Sequence, residues 1–238
     1  MRSLSPRPAL LVLALLLIVG AIALLEFGFA RADPGGDRTQ AAPAKPPAAA
    51  KPPAEPRAEP TAAAEKTAPE EDAENPAERV ERKEAEFPRA AEIANPTGFV
   101  NTDGISIGEN LGERVVLVEF WTYTCYNCQN VQPYVNSWHE EYADDGLLVI
   151  GVHRPEFEFE KDRASVEEAV RQAGIEYPVV IDNDSATWDA YDNRYWPAFY
   201  LVDADGFVRY RHFGEGAYEE TEEKIRELLL EKEEARRS

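Results

Sequence analysis

Cysteine and histidine are scarce in this chain, whose 238 residues include two cysteines and three histidines. Because Cys125 and Cys128 supply its only thiols, an intramolecular disulfide can join no other pair. A structural zinc site usually draws on two cysteine pairs or on closely paired histidines, and the histidines here are scattered. We therefore expect no metal site, and nothing in the sequence indicates a cofactor.

Positive charge is also in short supply. The chain has 25 Lys and Arg against 45 Asp and Glu, which gives a formal net charge of −20 at pH 7. Binding to nucleic acid draws its affinity from basic side chains that displace the counterions of the phosphate backbone. An acidic chain repels that backbone instead, so we expect no nucleic-acid partner.

Large apolar side chains are nearly absent from residues 33–90, which consist mainly of Ala, Pro, Glu and Lys. Such a segment cannot bury enough surface to offset the entropy that it loses on ordering. It is therefore predicted to be a disordered linker, which its prolines keep extended. Residues 91–238 are long enough for a single core and are predicted to form one domain.

The N-terminal segment 1–32 has the pattern of an export signal. Arg2 and Arg7 precede an uncharged apolar run over 9–25, and Ala30-Arg31-Ala32 offers a small-x-small cleavage site. The segment is therefore either an uncleaved anchor helix in the membrane or a signal peptide that is removed. Because the positive end of such a segment stays in the cytoplasm, both alternatives place the C-terminal part outside it.

The apolar patterns after residue 91 predict an α/β fold. The β-branched run 115–121 indicates a buried strand, and strands alternate with segments of helical spacing along the chain. This order predicts a central mixed sheet with parallel strands, helices on both faces and an edge hairpin that turns at Asp205-Gly206. Residues 99–100 and 105–107 are expected to form a small additional hairpin in front of the sheet.

The two cysteines stand just after the predicted strand and open a helix. A helix N-terminus presents unpaired N–H groups and a partial positive charge, which stabilise a thiolate. Cys125 is therefore expected to be exposed and nucleophilic, with Thr124 as the N-cap. Cys128 lies one turn further along the helix, close enough to displace a partner bound to Cys125.

These motifs resemble the thioredoxin superfamily. Its members share an acidic-Phe-Trp sequence, here residues 119–121, followed by the Cys-x-x-Cys pair, a proline at the position of Pro133 and a cis-proline loop. More narrowly, residues 95–232 are similar to TlpA-like and DipZ-type membrane-linked thiol–disulfide oxidoreductase domains. The likeness is carried by stretches such as 151–162 and 193–198, and it implies a thioredoxin-like fold.

The resemblance also implies an activity and the residues that perform it. Cys125 and Cys128 would be the redox pair, and Glu119 the buried acid that takes a proton from the second thiol. Four further residues would bind the partner or shield the disulfide: Trp121, Tyr126, Trp196 and Pro197.

The partners implied are exported proteins with thiols or disulfides, and a membrane electron-transfer protein that restores the dithiol. The family leans towards the role of reductant. The dipeptide between the cysteines is Tyr-Asn and not the Gly-Pro of thioredoxin, so thioredoxin's redox potential is not carried over.

Two other functions stay open at this stage. Thr122-x-x-Cys125 is also the pattern of a peroxiredoxin-like thiol peroxidase. Against it, the proline expected upstream is Val118 here, and Cys128 is too close for the usual distant resolving thiol. The other alternative is a tethered, non-catalytic module in which the pair is a structural disulfide.

Overall fold

The computed structural model describes residues 75–237. The predicted export segment 1–32 and the predicted linker up to residue 74 lie outside the described residues. Within the described part of the chain, no helix has the length and apolar character needed to cross a membrane.

Five helices and six strands make up the described region. In chain order they are α1 (Pro76–Glu86), β1 (Gly98–Val100), β2 (Val115–Trp121), α2 (Tyr126–Tyr142), β3 (Leu147–His153), α3 (Arg163–Ala173), β4 (Val179–Ile181), α4 (Ala186–Ala190), β5 (Ala198–Val202), β6 (Val208–Phe213) and α5 (Tyr218–Arg237). Short 3-10 helices lie at Gly108–Asn110 and Glu158–Lys161.

The six strands form one mixed sheet in the order β1-β4-β3-β2-β5-β6. Strands β2, β3 and β4 are parallel to one another, whereas β1 pairs antiparallel with β4 and β5 pairs antiparallel with β2. The predicted edge hairpin is confirmed, since β6 pairs antiparallel with β5. The predicted α/β class with a mixed sheet is therefore confirmed.

Both faces of the central strand β2 are covered, which explains why all its residues except Glu119 are apolar. Val115, Leu117 and Trp121 belong to a core cluster with residues of α2, α3 and α5, while alternate residues pack against α4 on the other face. Side chains along a strand alternate between faces. Glu119 therefore points to the same face as Leu117 and Trp121, towards α2.

The additional hairpin predicted over 99–100 and 105–107 is wrong. Strand β1 pairs with β4, with Gly98 opposite Ile181, and residues 105–107 form no strand. The backbone N–H groups of Ile107 and Gly108 donate instead to the carboxylate of Glu92, at 2.8 and 2.9 Å. These two N–H groups are therefore not available for hydrogen bonds to a neighbouring strand.

Helix α1 shows that order begins before residue 91, inside the segment whose composition indicated a linker. Charged side chains attach the helix to the rest of the domain. Lys83 is only 2% exposed, and its ammonium bonds to Asp203 at 2.8 Å, to Asp205 at 2.6 Å and to Glu231. Composition alone misses such an attachment because it counts apolar side chains.

The charge of Lys83 survives its burial. Burial by itself lowers the pKa of the ammonium, but the hydrogen bonds to Asp203, Asp205 and Glu231 outweigh it and raise the pKa overall. Arg209 adds a second cation to the cluster, at 3.0 Å from Asp203 and 2.9 Å from Glu231. The cluster thus joins α1 to the β5–β6 turn and to α5.

Replacing Lys83 with Met is expected to lower the free energy of unfolding by about 3 kcal/mol. Removal of one member leaves buried carboxylates short of a partner, although Arg79 and Arg209 still contact Asp205 and Asp203. Urea unfolding measures the change. Glu84→Gln breaks an exposed pair with Arg89 and serves as the control, with an expected loss below about 1 kcal/mol. Equal losses in the two variants would contradict a structural role for the Lys83 cluster.

Candidate functional site

The two thiols lie at the start of α2, where the helix backbone organises them. Cys125 is the N-cap residue, in an extended conformation, and its Sγ accepts a hydrogen bond from the backbone N–H of Cys128 at 3.2 Å. Both residues are free cysteines. The prediction that Thr124 caps the helix is wrong, because its hydroxyl donates to the Oε1 of Glu160 at 2.5 Å.

The two thiols differ in acidity. A hydrogen bond from the side chain of Cys128 lowers the pKa of Cys125, backbone N–H groups add to this effect, and together they outweigh burial and bring the pKa to about 7. Cys128 is only 2% exposed, and its burial raises the pKa of its own thiol. Near neutral pH, Cys125 is therefore half ionised while Cys128 keeps its proton.

Glu119 is a fully buried carboxyl in the middle of β2. Burial raises its pKa to about 7; the hydrogen bond from Tyr177 opposes that rise, and the charge of Cys125 adds to it. The charge of Glu119 in turn raises the pKa of Cys128. The structure thus brings the three predicted groups close enough for the charge of one to shift the pKa of another.

Tyr177 and Gln132 belong to the same site and were missed by the sequence reasoning. The Tyr177 hydroxyl donates to Oε2 of Glu119 at 2.9 Å, and the Gln132 amide donates to the Tyr177 oxygen at 2.6 Å. Gly151 lies opposite Glu119 in β3, and a Cβ there would come within 3.1 Å of the Tyr177 ring. A glycine inside an otherwise apolar strand signals such a close approach and was the available clue.

The predicted cis bond between Trp196 and Pro197 is present. The register of β2 and β5 pairs Phe120 with Ala198, so the Trp196–Pro197 loop lies beside the end of β2 that leads to Cys125. Trp196 is half-buried and packs against Trp188, with 4.4 Å between ring centres and the ring planes tilted by 37°.

The other two residues predicted to contact a partner differ sharply in exposure. Tyr126, directly after Cys125, is 73% exposed, whereas Trp121 is buried in the core. A cleft of about 680 Å³ opens between α2 and α3, and its lining includes Trp121, Cys128, Gln132 and Pro133. Trp121 can therefore shield the second cysteine from inside the fold, while Tyr126 is available at the surface.

The loop that leads into Cys125 is held by buried polar groups. Thr122 is fully buried, and its hydroxyl lies 3.3 Å from Nε2 of His153. Burial lowers the pKa of His153 to about 4, so its ring is neutral at pH 7. Glu160, also buried, accepts hydrogen bonds from Thr124 and from the backbone N–H of Phe157. These contacts fix the approach to the nucleophile.

One carboxylate cluster in the described part of the chain is close enough to hold a cation: Asp203, Asp205 and Glu231. Lys83 bonds to all three, and Arg79 and Arg209 pair with them as well, so cations of the protein itself already balance their charge. This cluster surrounds the β5–β6 turn and is separate from the thiols.

Comparison with known proteins places this site in a family. Protein DipZ of Mycobacterium tuberculosis is 48% identical over 143 residues, which are 59% of this chain and 20% of DipZ. Thiol-disulfide oxidoreductase YkuV of Bacillus subtilis is 32% identical over 123 residues, which are 52% of this chain and 82% of YkuV. The chain thus spans about a fifth of the length of DipZ and most of YkuV.

The family described as AhpC/TSA matches residues 90–211, about half of the chain. The chain belongs to the AhpC/TSA family. A solution structure of a thioredoxin-like protein in the oxidised form shares its fold, with a TM-score of 0.56 at 28% identity, and covers 61% of this chain and 97% of that one. The predicted membership of the thioredoxin superfamily, with likeness to TlpA-like and DipZ-type domains, is confirmed.

In this member of the AhpC/TSA family, iodoacetamide is expected to alkylate Cys125 with a pH midpoint near 7, below the value of about 8.5 for a free cysteine. Cys128 is expected to react far more slowly because its thiol is buried and protonated. Fragmentation mass spectrometry of the labelled peptide distinguishes the two sites. Equal labelling of both cysteines would contradict the asymmetry of the pair.

Burial of Glu119 is expected to make stability fall as the pH rises. Between about pH 4.3 and pH 7, the folded protein holds a proton that the unfolded chain has released, so each rise in pH favours unfolding. From pH 5 to pH 8, the wild type should lose about 2–3 kcal/mol more stability than Glu119→Gln. Urea unfolding at both pH values tests this, with Glu222→Gln as the control. Parallel pH curves for wild type and Glu119→Gln would refute the raised pKa.

Proposed function

We propose that this chain is a thiol–disulfide oxidoreductase that passes electrons from the Cys125–Cys128 dithiol to disulfides of partner proteins. The observation that carries the proposal is the asymmetry of the pair, an acidic thiol at the helix N-terminus beside a buried thiol that keeps its proton. The thiolate is the reactive form in disulfide exchange. The similarity to the thiol-disulfide oxidoreductase YkuV supports the same chemistry.

The reaction begins at Cys125. Its thiolate attacks one sulfur of the partner disulfide, so that a bond forms between Cys125 and the partner while the partner's own S–S bond breaks. The released partner sulfur leaves as a thiolate and takes a proton from solvent. The backbone N–H of Cys128, which donates to the Cys125 sulfur, favours the thiolate that starts this step.

Cys128 completes the reaction. Glu119, as its carboxylate, accepts the proton of Cys128, and the resulting thiolate attacks the Cys125 sulfur. The bond to the partner breaks, the second partner sulfur leaves as a thiolate that takes a proton from solvent, and a Cys125–Cys128 disulfide remains. Two electrons have then passed to the partner. A pKa of about 7 suits Glu119 to this task, because the carboxyl both accepts and returns a proton near neutral pH.

Partner binding is proposed for the surface around Cys125. Tyr126 is exposed beside the nucleophile, and Trp196 and Pro197 form the neighbouring loop at the same end of the sheet. An exposed aromatic ring offers a large apolar area to an extended partner chain. Trp121 acts from within, by keeping water away from the second thiol.

The proposed location is outside the cytoplasm, with segment 1–32 as a membrane anchor or a cleaved signal. The basic residues before the apolar run of that segment support this orientation. The substrates would then be exported proteins, and a membrane electron-transfer protein would reduce the disulfide again. A linker over residues 33–74 would hold the domain clear of the membrane.

Full-chain variants test the proposed function. Cys125→Ser is expected to abolish reduction of insulin disulfides, and Cys128→Ser to accumulate the mixed disulfide, which mass spectrometry detects. Glu119→Gln should slow release of the second partner thiol by about 100-fold, the contribution of a positioned base. Glu222→Gln, on α5, is the control and should leave the rate unchanged.

Two results would overturn the proposed function. Rapid consumption of hydrogen peroxide without insulin reduction would favour the thiol peroxidase alternative, and a Cys125–Cys128 disulfide that resists mild dithiols would favour a structural staple. Equilibration with glutathione fixes the direction of transfer. A potential of about −270 mV is typical of a reductant, and a potential of about −120 mV is typical of an oxidant.

A further inference from the structure

The Glu119 carboxylate has a single hydrogen-bond donor among the described residues. Oε2 accepts from the Tyr177 hydroxyl at 2.9 Å, while Oε1 is buried without a partner. A buried carboxylate with so few donors is costly, and each hydrogen bond to its ionised form favours ionisation. Loss of the Tyr177 donor would therefore act directly on Glu119.

The direction of the hydrogen bond from Tyr177 is set by its other neighbours. Asn136 donates its amide to the carbonyl of Ala173 at 2.8 Å, so its Oδ1 faces Gln132. The Gln132 amide nitrogen then donates to that oxygen at 3.0 Å and to the Tyr177 oxygen at 2.6 Å. Since the Tyr177 oxygen is an acceptor there, its own hydrogen is left for Glu119.

The position of Tyr177 is held from its backbone as well. The Asn101 amide donates to the carbonyl oxygens of Ile175 and Tyr177, at 2.9 and 3.0 Å. Gly151 leaves the space beside Glu119 that the Tyr177 ring occupies. The ring is thus placed by contacts that do not involve the thiols.

We propose that Tyr177, oriented by Gln132, is a positioning residue that stabilises the ionised carboxylate of Glu119, the form that accepts the proton of Cys128. This inference rests on the proposed function. Gln132 lies on α2 one turn after Cys128, and both residues line the cleft between α2 and α3. Helix α2 therefore carries both the Cys128 thiol, which gives up the proton, and the Gln132 amide, which orients the hydroxyl that donates to Glu119.

The remaining titratable groups around Glu119 are few. Helix α2 contributes Cys125 and Cys128, and His139 packs against the Tyr177 ring at 5.5 Å between ring centres. Burial lowers the pKa of His139.

The neighbouring strands add two histidines near Glu119. On β3, His153 packs against Trp121 at 5.2 Å between ring centres. On β5, the residue opposite Glu119 is Phe199, with His212 stacked against it. None of these groups donates a hydrogen bond to the carboxylate in the described structure.

The test follows both thiols in the purified full chain by stopped-flow mixing of the reduced protein with dithiobis(nitrobenzoate). The first nitrothiobenzoate released reports attack by Cys125, and the second reports displacement by Cys128. Measured across about pH 6 to pH 9, the second step should show a midpoint set by Glu119. Tyr177→Phe is expected to move this midpoint upward by about one pH unit and to leave the first step unchanged.

Three further variants separate a positioning role from a structural one. Tyr142→Phe removes the same kind of bond, a buried tyrosine that donates to Glu222 at 2.8 Å, and should leave the midpoint unchanged. In a Glu119→Gln background, Tyr177→Phe should add no further pH shift. Gln132→Met should shift the midpoint upward by less than Tyr177→Phe, and it carries the test should Tyr177→Phe fail to fold.

If Tyr177→Phe leaves the pH midpoint of the second step unchanged, the inference is overturned. Where only Gln132→Met folds, an unchanged midpoint in that variant has the same consequence. A shift that persists without Glu119, or that Tyr142→Phe reproduces, would overturn it too. Failure of the proposed function looks different, since the wild type would then fail to reduce insulin disulfides at any pH. In that case the inference falls with it; a wild type that reduces insulin and releases both nitrothiobenzoate equivalents isolates the role of Tyr177.

Discussion

The site depends on one costly placement, a carboxyl buried in the central strand of the sheet. Glu119 stands among apolar residues of β2, and core covers both faces of that strand. Desolvation raises its pKa into the neutral range, and the single hydrogen bond from Tyr177 offsets that effect only in part. A carboxyl in water would be fully ionised at pH 7 and a poor acceptor for a thiol proton. In the proposed reaction, the burial that costs stability is therefore the property that suits Glu119 to accept the proton of Cys128.

Helix α2 supplies the second element of the site, because the surroundings of its residues change from the surface to the core within one turn. Cys125 stands at the N-cap, where backbone N–H groups reach its sulfur, and Cys128 lies inside the first turn against the core. Identical side chains thereby acquire opposite pKa shifts. Polar contacts beneath the preceding loop, such as that between Thr124 and Glu160, hold the nucleophile's backbone without occupying its surface. Cys125 itself is half-buried and not exposed as predicted, so in the proposed function a partner would meet the exposed Tyr126 beside it.

Charge organises the other end of β5. The turn at Asp203 and Asp205 receives Lys83 from α1, and Arg209 and Glu231 complete the cluster. This attachment lies at the opposite end of β5 from the Trp196–Pro197 loop. Helix α1 is therefore held away from the thiols, and in the proposed function it would leave the approach to Cys125 open.

Local spacing determined much of this protein. The apolar run of β2, the helical spacing after Cys128 and the Asp205-Gly206 turn predicted the sheet and its hairpin, and the family resemblance indicated the thiols, Glu119 and the cis bond at Pro197. Tertiary structure decided the rest, because the contacts join distant residues. Tyr177 reaches Glu119 across 58 positions and Gln132 across 45, and Lys83 reaches Asp203 across 120. A sequence pattern indicates which residues share a face of a helix or strand. A hydrogen bond between side chains that are remote in sequence forms only when the fold brings them together.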